Sequence, residues 1–132
     1  MRKTRTIRHS VWIRAPPTDV YDALMTSKGH SAFTGASARI SPRVGGKFTA
    51  HDGYIHGRNV ELVRGRKIVQ EWRPAEDAWP KDHYSTVTFT LRPSRGGTQL
   101  TFLQTGVLPE YAAELAGGWK EFYWTPLKQY LE

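Results

Sequence analysis

Apolar and polar residues alternate through the segment TIRHSVWIRA. Ile7, Val11 and Ile13 share one face with His9, and Arg8, Ser10, Trp12 and Arg14 share the other. A period of two predicts a half-buried strand. Pro16 and Pro17 end it, since proline gives the ladder no donor and suits a first helical turn. The pattern then predicts a short helix opening at Thr18-Asp19, with Val20, Tyr21 and Leu24 as its apolar stripe. A second short helical piece follows, capped by Ser27, reaching Phe33 and broken by Gly35.

Between positions 36 and 107 the period of two returns. Strands are predicted near 38–41, 47–51, 54–63, 67–73, 84–92 and 99–106, separated by links that contain Gly or Pro. Most links are short, so consecutive strands pair as an antiparallel meander. Beyond Pro109 the period changes to that of a helix. EYAAELAGGWKEFYWTPLKQYLE places Trp119, Phe122, Tyr123, Pro126, Leu127 and Tyr130 on one broad stripe, with Glu121, Thr125 and Lys128 opposite. Gly117-Gly118 weakens that helix, and Pro126 cannot donate to the Phe122 carbonyl, which predicts a kink. The expected architecture is α+β, a single domain over 1–132: a curved antiparallel sheet of about seven strands, two short helices after the first, and a long carboxy-terminal helix. A twisted sheet wrapped on a helix leaves space between them, so an internal cavity is expected.

Composition sharpens this picture in a few places. Aromatics make up 12% of the 132 residues, including five Trp, enough rings to fill a core or wall a cavity. The absence of cysteine excludes disulfides, thiolate nucleophiles and Cys-based metal sites. The net charge of +7 is spread along the chain apart from small clusters at Arg2, Lys3, Arg5 and Arg8 and at Arg64, Arg66 and Lys67. Dispersed charge does not make a nucleic-acid surface, so nucleic acid is not an expected partner. No apolar run approaches a membrane span, and the basic amino terminus lacks the apolar stretch of a signal peptide. A soluble, cytoplasmic protein with no membrane partner is expected.

Candidate chemistry concentrates in TAHDGYIHG, positions 49–57. Asp52-Gly53 predicts a type I′ hairpin turn. That register pairs His51 with Tyr54, Thr49 with His56 and Lys47 with Arg58, all on the polar face; Phe48, Ala50, Ile55 and Gly57 face the core. Both histidines are thus expected to face solvent beside cations, too few and too exposed for a metal site. Val60 and Leu62 share parity with His56, so either the strand bulges near Arg58-Asn59 or its far end is covered on both faces. Glu61 could serve as an acid or base only if that bulge turns it inward. No nucleophile elbow occurs, and Gly45-Gly46-Lys47 leads into a strand, unlike a phosphate loop. No cofactor is implied. On the inner face Gln70 lies between Ile68 and Trp72, and Gln104 continues the row of Leu100 and Phe102, beside the Val87, Phe89 and Leu91 of the neighbouring strand. Buried amides require partners, so Gln104 is a candidate ligand contact. Trp79, next to Pro80, is expected to fold over the open end of the sheet.

The segments VWIRAPPTDVYDAL, PRVGGKF, GRKIVQEW, GGTQLTF and GWKEFYWTPLKQYL, in this order across the whole chain, resemble the SRPBCC (START-like) superfamily. Within it they are most similar to bacterial relatives of the carboxy-terminal domain of the activator of heat-shock-protein-90 ATPase. The resemblance implies a helix-grip fold with a ligand cavity between helix and sheet. By position it implies that Trp72, Phe89, Phe102, Gln104, Trp119 and Tyr123 line that cavity, with Phe33 near its mouth. The expected function is binding of an apolar or amphipathic small molecule. A polyketide cyclase- or dehydratase-like enzyme is one alternative. A chaperone-associated module is another, and a weaker one, since the co-chaperone that names the group has a separate amino-terminal domain without counterpart in these 132 residues.

Overall fold

The computed structural model describes residues 3–132, so Arg2 of the amino-terminal basic cluster lies outside it. Strand β1 (Arg5–Ile13) is followed by helices α1 (Pro17–Met25) and α2 (Ser27–Thr34). Six strands come next: β2 (Arg39–Ile40), β3 (Lys47–Ala50), β4 (Ile55–Val63), β5 (Lys67–Pro74), β6 (Ser85–Ser94) and β7 (Gly97–Val107). All pair antiparallel in one seven-stranded sheet of order β1-β7-β6-β5-β4-β3-β2. The chain ends in an unbroken helical run made of α3 (Pro109–Trp119), a π-helical turn at Lys120–Trp124, and α4 (Thr125–Leu131).

Alternation chose the inner face well. Ile68, Trp72, Val87, Phe89, Leu91, Leu100 and Phe102 are buried, with Trp72, Phe89 and Phe102 against Trp119 of the terminal helix. Each such side chain contributes roughly 1.5–3 kcal/mol through removal from water. β4 packs closely at Gly57, where an added methyl would run into the Glu71 carbonyl and lie 2.8 Å from the Phe48 ring. Only a glycine permits that approach. The register of β4 against β5 slips between Asn59 and Glu61, next to the Arg58-Asn59 position expected from parity, and leaves Val60 exposed. At the entry to α2 the cap is Thr26, whose hydroxyl accepts from the Gly29 amide at 3.0 Å. Ser27 instead accepts from the Ile40 amide at 2.8 Å and ties α2 to β2.

The helix departs from simple periodicity at its centre. Pro126 offers no N–H, and its ring crowds the carbonyl four residues back. The helix responds by widening over Lys120–Trp124, with the Thr125 amide donating to the Lys120 carbonyl five residues earlier. A π turn adds a residue to the repeat and shifts the buried stripe by about one position. Trp124 is therefore buried and stacks on Trp119 at 5.7 Å, while Phe122 is pushed out to 52% exposure. The Trp124 indole also donates to His9 Nδ1 at 2.7 Å, fixing the helix to β1.

Candidate functional site

The inner face of the sheet is closed by hydrogen bonds that alternation alone does not reveal. Gln104 is fully buried, accepting from the Trp119 indole at 2.8 Å and donating to the Ser85 hydroxyl at 2.9 Å. Ser85 in turn donates to the Trp72 carbonyl at 3.0 Å. Gln70 donates to Asn59 Oδ1 at 3.0 Å, and the Asn59 amide reaches the Ser41 and Arg43 carbonyls at 2.7 and 2.9 Å. Both amides thus find their partners within the protein.

Helix α2 contributes His30, which is buried. Its Nδ1 donates to the Leu24 carbonyl at 3.0 Å, and its Nε2 accepts from the Tyr123 hydroxyl at 2.8 Å. Burial pushes this imidazole down to about 4, so it is neutral at ordinary pH, and burial pushes the Tyr123 hydroxyl up. The pair clamps the small helices onto the π turn.

The open space lies elsewhere, between the β3–β4 turn, β5 and the helix. A cleft of about 240 Å³ is walled by Trp72, Trp119, Phe122 and Tyr123 and continued by Ile55, Leu115 and Gly118. His51, Tyr54 and Glu114 complete its lining. A second space, of about 10 Å³, sits deeper among Met25, His30, Gln70, Phe89 and the same aromatic rings. It has room for about one water molecule.

These positions sort the residues named from sequence. Trp72, Trp119 and Tyr123 line the cleft, and with Phe89 they border the small inner space. Phe102 and Gln104 are fully buried behind Trp119, whose ring is 4.4 Å from that of Phe102. Phe33 packs on His30 and Tyr123, at 5.1 and 5.6 Å between ring centres, and borders neither space. Trp79 is fully buried against Trp72 and Tyr111, and its loop is held by the buried guanidinium of Arg73, which donates to the Pro74, Trp79 and Pro80 carbonyls.

His51 corrects the sequence reading. The β3–β4 register is as expected, with Thr49 opposite His56 and Lys47 opposite Arg58. However, His51 itself takes φ 50°, followed by Asp52 at 58° and Gly53 at 89°, so the ladder stops at Ala50. Three successive left-handed residues turn the imidazole away from the sheet's outer face and against the helix, 6.0 Å from the Phe122 ring and 5.4 Å from that of Tyr123. Asp52 supports this turn by accepting from the Ser37 amide at 2.8 Å. Partial burial lowers the His51 pKa. His56 stays with the strand and meets Tyr84 instead, at 5.9 Å. Among the described residues no group of three His, Asp or Glu side chains converges on a metal position.

Glu61 lies on the solvent side of the bulge, half exposed and 3.4 Å from Lys67. The inward rotation on which its acid–base role depended does not occur. Tyr54, Ile55, Glu114, Leu115, Gly118 and Phe122 were not singled out from sequence as site residues. Counting back from Trp119 and Phe122 in steps of three and four reaches Leu115, Gly118 and Glu114, a signal that was available.

A curved seven-stranded antiparallel sheet gripping a long terminal helix, with two short helices after the first strand, is the helix-grip architecture of the SRPBCC (START-like) class. Residues 14–132 match the model of the family described as Activator of Hsp90 ATPase homolog 1-like protein, and the chain belongs to that family. It is 32% identical over 113 residues to the human activator of 90 kDa heat shock protein ATPase homolog 1, a match spanning 86% of this chain and 33% of that protein. The chain thus spans about a third of the length of that relative. Among solved structures, a Mesorhizobium loti protein superposes with a TM-score of 0.83 at 25% identity, covering 96% of each chain. An HSP90 activator from Plasmodium falciparum superposes with a TM-score of 0.82 at 23% identity, covering 89% of each chain.

Proposed function

We propose that the protein binds a small apolar or amphipathic molecule in the cleft between the terminal helix and the β3–β4 turn. The observation that carries this reading is the combination of four aromatic walls with a gap in the helix surface at Gly118. A ring held at 52% exposure, as Phe122 is, costs free energy in water and gains it when a ligand covers it. The deeper interior is already packed and internally hydrogen-bonded, which favours the cleft over the sheet's inner face as the place of binding.

Gly118→Leu tests this directly. A Cβ at Gly118 would meet Phe122 Cδ2 at 3.9 Å, an ordinary contact, so the helix tolerates the change while the longer side chain fills the cleft. Native mass spectrometry of the protein purified from its own cells, followed by denaturation and analysis of the released compounds, is expected to show a stoichiometric ligand in the wild type and none in the variant. Identical spectra, with or without bound compound, would count against the cleft.

Family membership favours one second reading, an interaction with a heat-shock-protein-90 chaperone. It predicts that the purified protein raises the ATPase rate of that chaperone, and an unchanged rate with saturating protein argues against it.

A further inference from the structure

We propose that the occupant of the cleft is an organic cation, an amine or quaternary ammonium group carried on a compact apolar body such as a single ring. This inference rests on reading the cleft as a small-molecule site. It adds the charge of the ligand, which that reading leaves open.

The argument begins from where the charges are. The chain carries nineteen Lys and Arg against twelve Asp and Glu, yet no lysine or arginine lines the cleft. Glu114 does line it. Tyr54, also in the lining, donates its hydroxyl proton to Glu76, so its oxygen presents lone pairs backed by a carboxylate. Desolvation first, and then the nearby Glu76, Glu110, Glu114 and Asp77 carboxylates, hold the Tyr111 hydroxyl above its usual range. None of these four carboxylates is in a salt bridge within the described residues; those bridges involve Asp22, Glu61, Glu71 and Glu132. A chain with a net charge of +7 thus places Glu114, and no lysine or arginine, in the lining of this aromatic cleft, with Glu76 behind Tyr54.

The walls suit the same ligand. Trp72, Trp119, Phe122 and Tyr123 offer ring faces and edges, and aromatic faces attract cations. His51 adds no competing charge at neutral pH, because its partial burial disfavours the imidazolium. A volume of about 240 Å³ lies below the roughly 300–1,000 Å³ of sites for drug-sized ligands, which limits the body to about one or two rings. An anionic ligand of the same size would meet Glu114 with no cation to offset the repulsion.

Three probes that share a phenylethyl body and differ in the head group separate the possibilities: 2-phenylethylammonium, 2-phenylethanol and 3-phenylpropanoate. Each is titrated at low ionic strength into the full chain, following the amide signals of Leu115 and Gly118 and the indole signals of Trp72 and Trp119. The ammonium is expected to bind about five- to tenfold more tightly than the alcohol, with the carboxylate weakest. Glu114→Gln is expected to remove most of the ammonium's advantage over the alcohol. Equal affinity for ammonium and alcohol, or a preference for the carboxylate, overturns the cationic assignment and leaves the cleft as a ligand site. Failure of all three to shift these signals at about 10 mM overturns the cleft reading itself, and this inference with it.

Discussion

His30 offers the most direct check on how the small helices are fastened to the gripping helix. Its Nε2 accepts a hydrogen bond from the Tyr123 hydroxyl and its Nδ1 already donates to Leu24, so a second ring proton has no acceptor within this pair of contacts. The folded protein holds this imidazole at about 4, against 6.5 for the free side chain. Because the folded value is depressed, the associated stability is fully present above about pH 6.5 and is lost as pH falls toward 4. The full shift corresponds to about 3 kcal/mol, of which about 2 kcal/mol is lost between pH 7.5 and pH 5. With a urea m-value of about 2 kcal/mol per molar, the unfolding midpoint should drop by about 1 M over that interval from His30 alone.

His9, His51 and His56 also have lowered values from burial, so the wild-type slope by itself does not isolate His30. The comparison is with His30→Gln, whose amide can donate to Leu24 and accept from Tyr123 without titrating. Urea unfolding of both proteins, followed by tryptophan fluorescence at pH 7.5, 6 and 5, should show the variant less stable at pH 7.5 but falling less steeply with acid. Parallel midpoints across the three pH values would refute the buried, neutral histidine and the reasoning built on it.

Other positions give independent tests. Gln104→Leu leaves the buried Trp119 indole without its acceptor and removes the donor to Ser85, and urea denaturation should record a loss of about 2–3 kcal/mol. Gly117→Ala adds a methyl with nothing within 4 Å, so the helix-propensity gain of up to about 1 kcal/mol should appear as a raised midpoint. Gly57→Ala drives a methyl into the β5 backbone, and loss of a cooperative unfolding transition is the expected result. Arg73→Met releases the three carbonyls of the loop that carries Trp79. Limited proteolysis should then cut that loop at protease levels that leave the wild type intact.

Local order was legible because each element repeats its own instruction. The alternation of β5, β6 and β7 states which side chains face inward, and the antiparallel meander follows from links too short to cross the sheet. The parity of Val60 and Leu62 pointed to an irregularity in β4 or to cover on both faces, and the register slip between Asn59 and Glu61 decides for the first. The site was less legible, and the reasons are specific. Gln104 on an inner face signals a need for partners, but whether a ligand or Trp119 answers it depends on a helix fifteen residues away in sequence. Pro126 announces a disturbed helix, yet only packing decides between a kink and a π turn, and that choice buries Trp124 and exposes Phe122. His51 sits in register with Tyr54 if the turn is two residues long. A third left-handed residue sends it to the helix, because the turn must also meet Ser37. Sequence by itself therefore determined the strands, the helices and the buried face, which are set by neighbours within a few residues. The tertiary structure decided the cleft, since its walls come from a turn, a strand and a helix whose mutual distance no local pattern encodes.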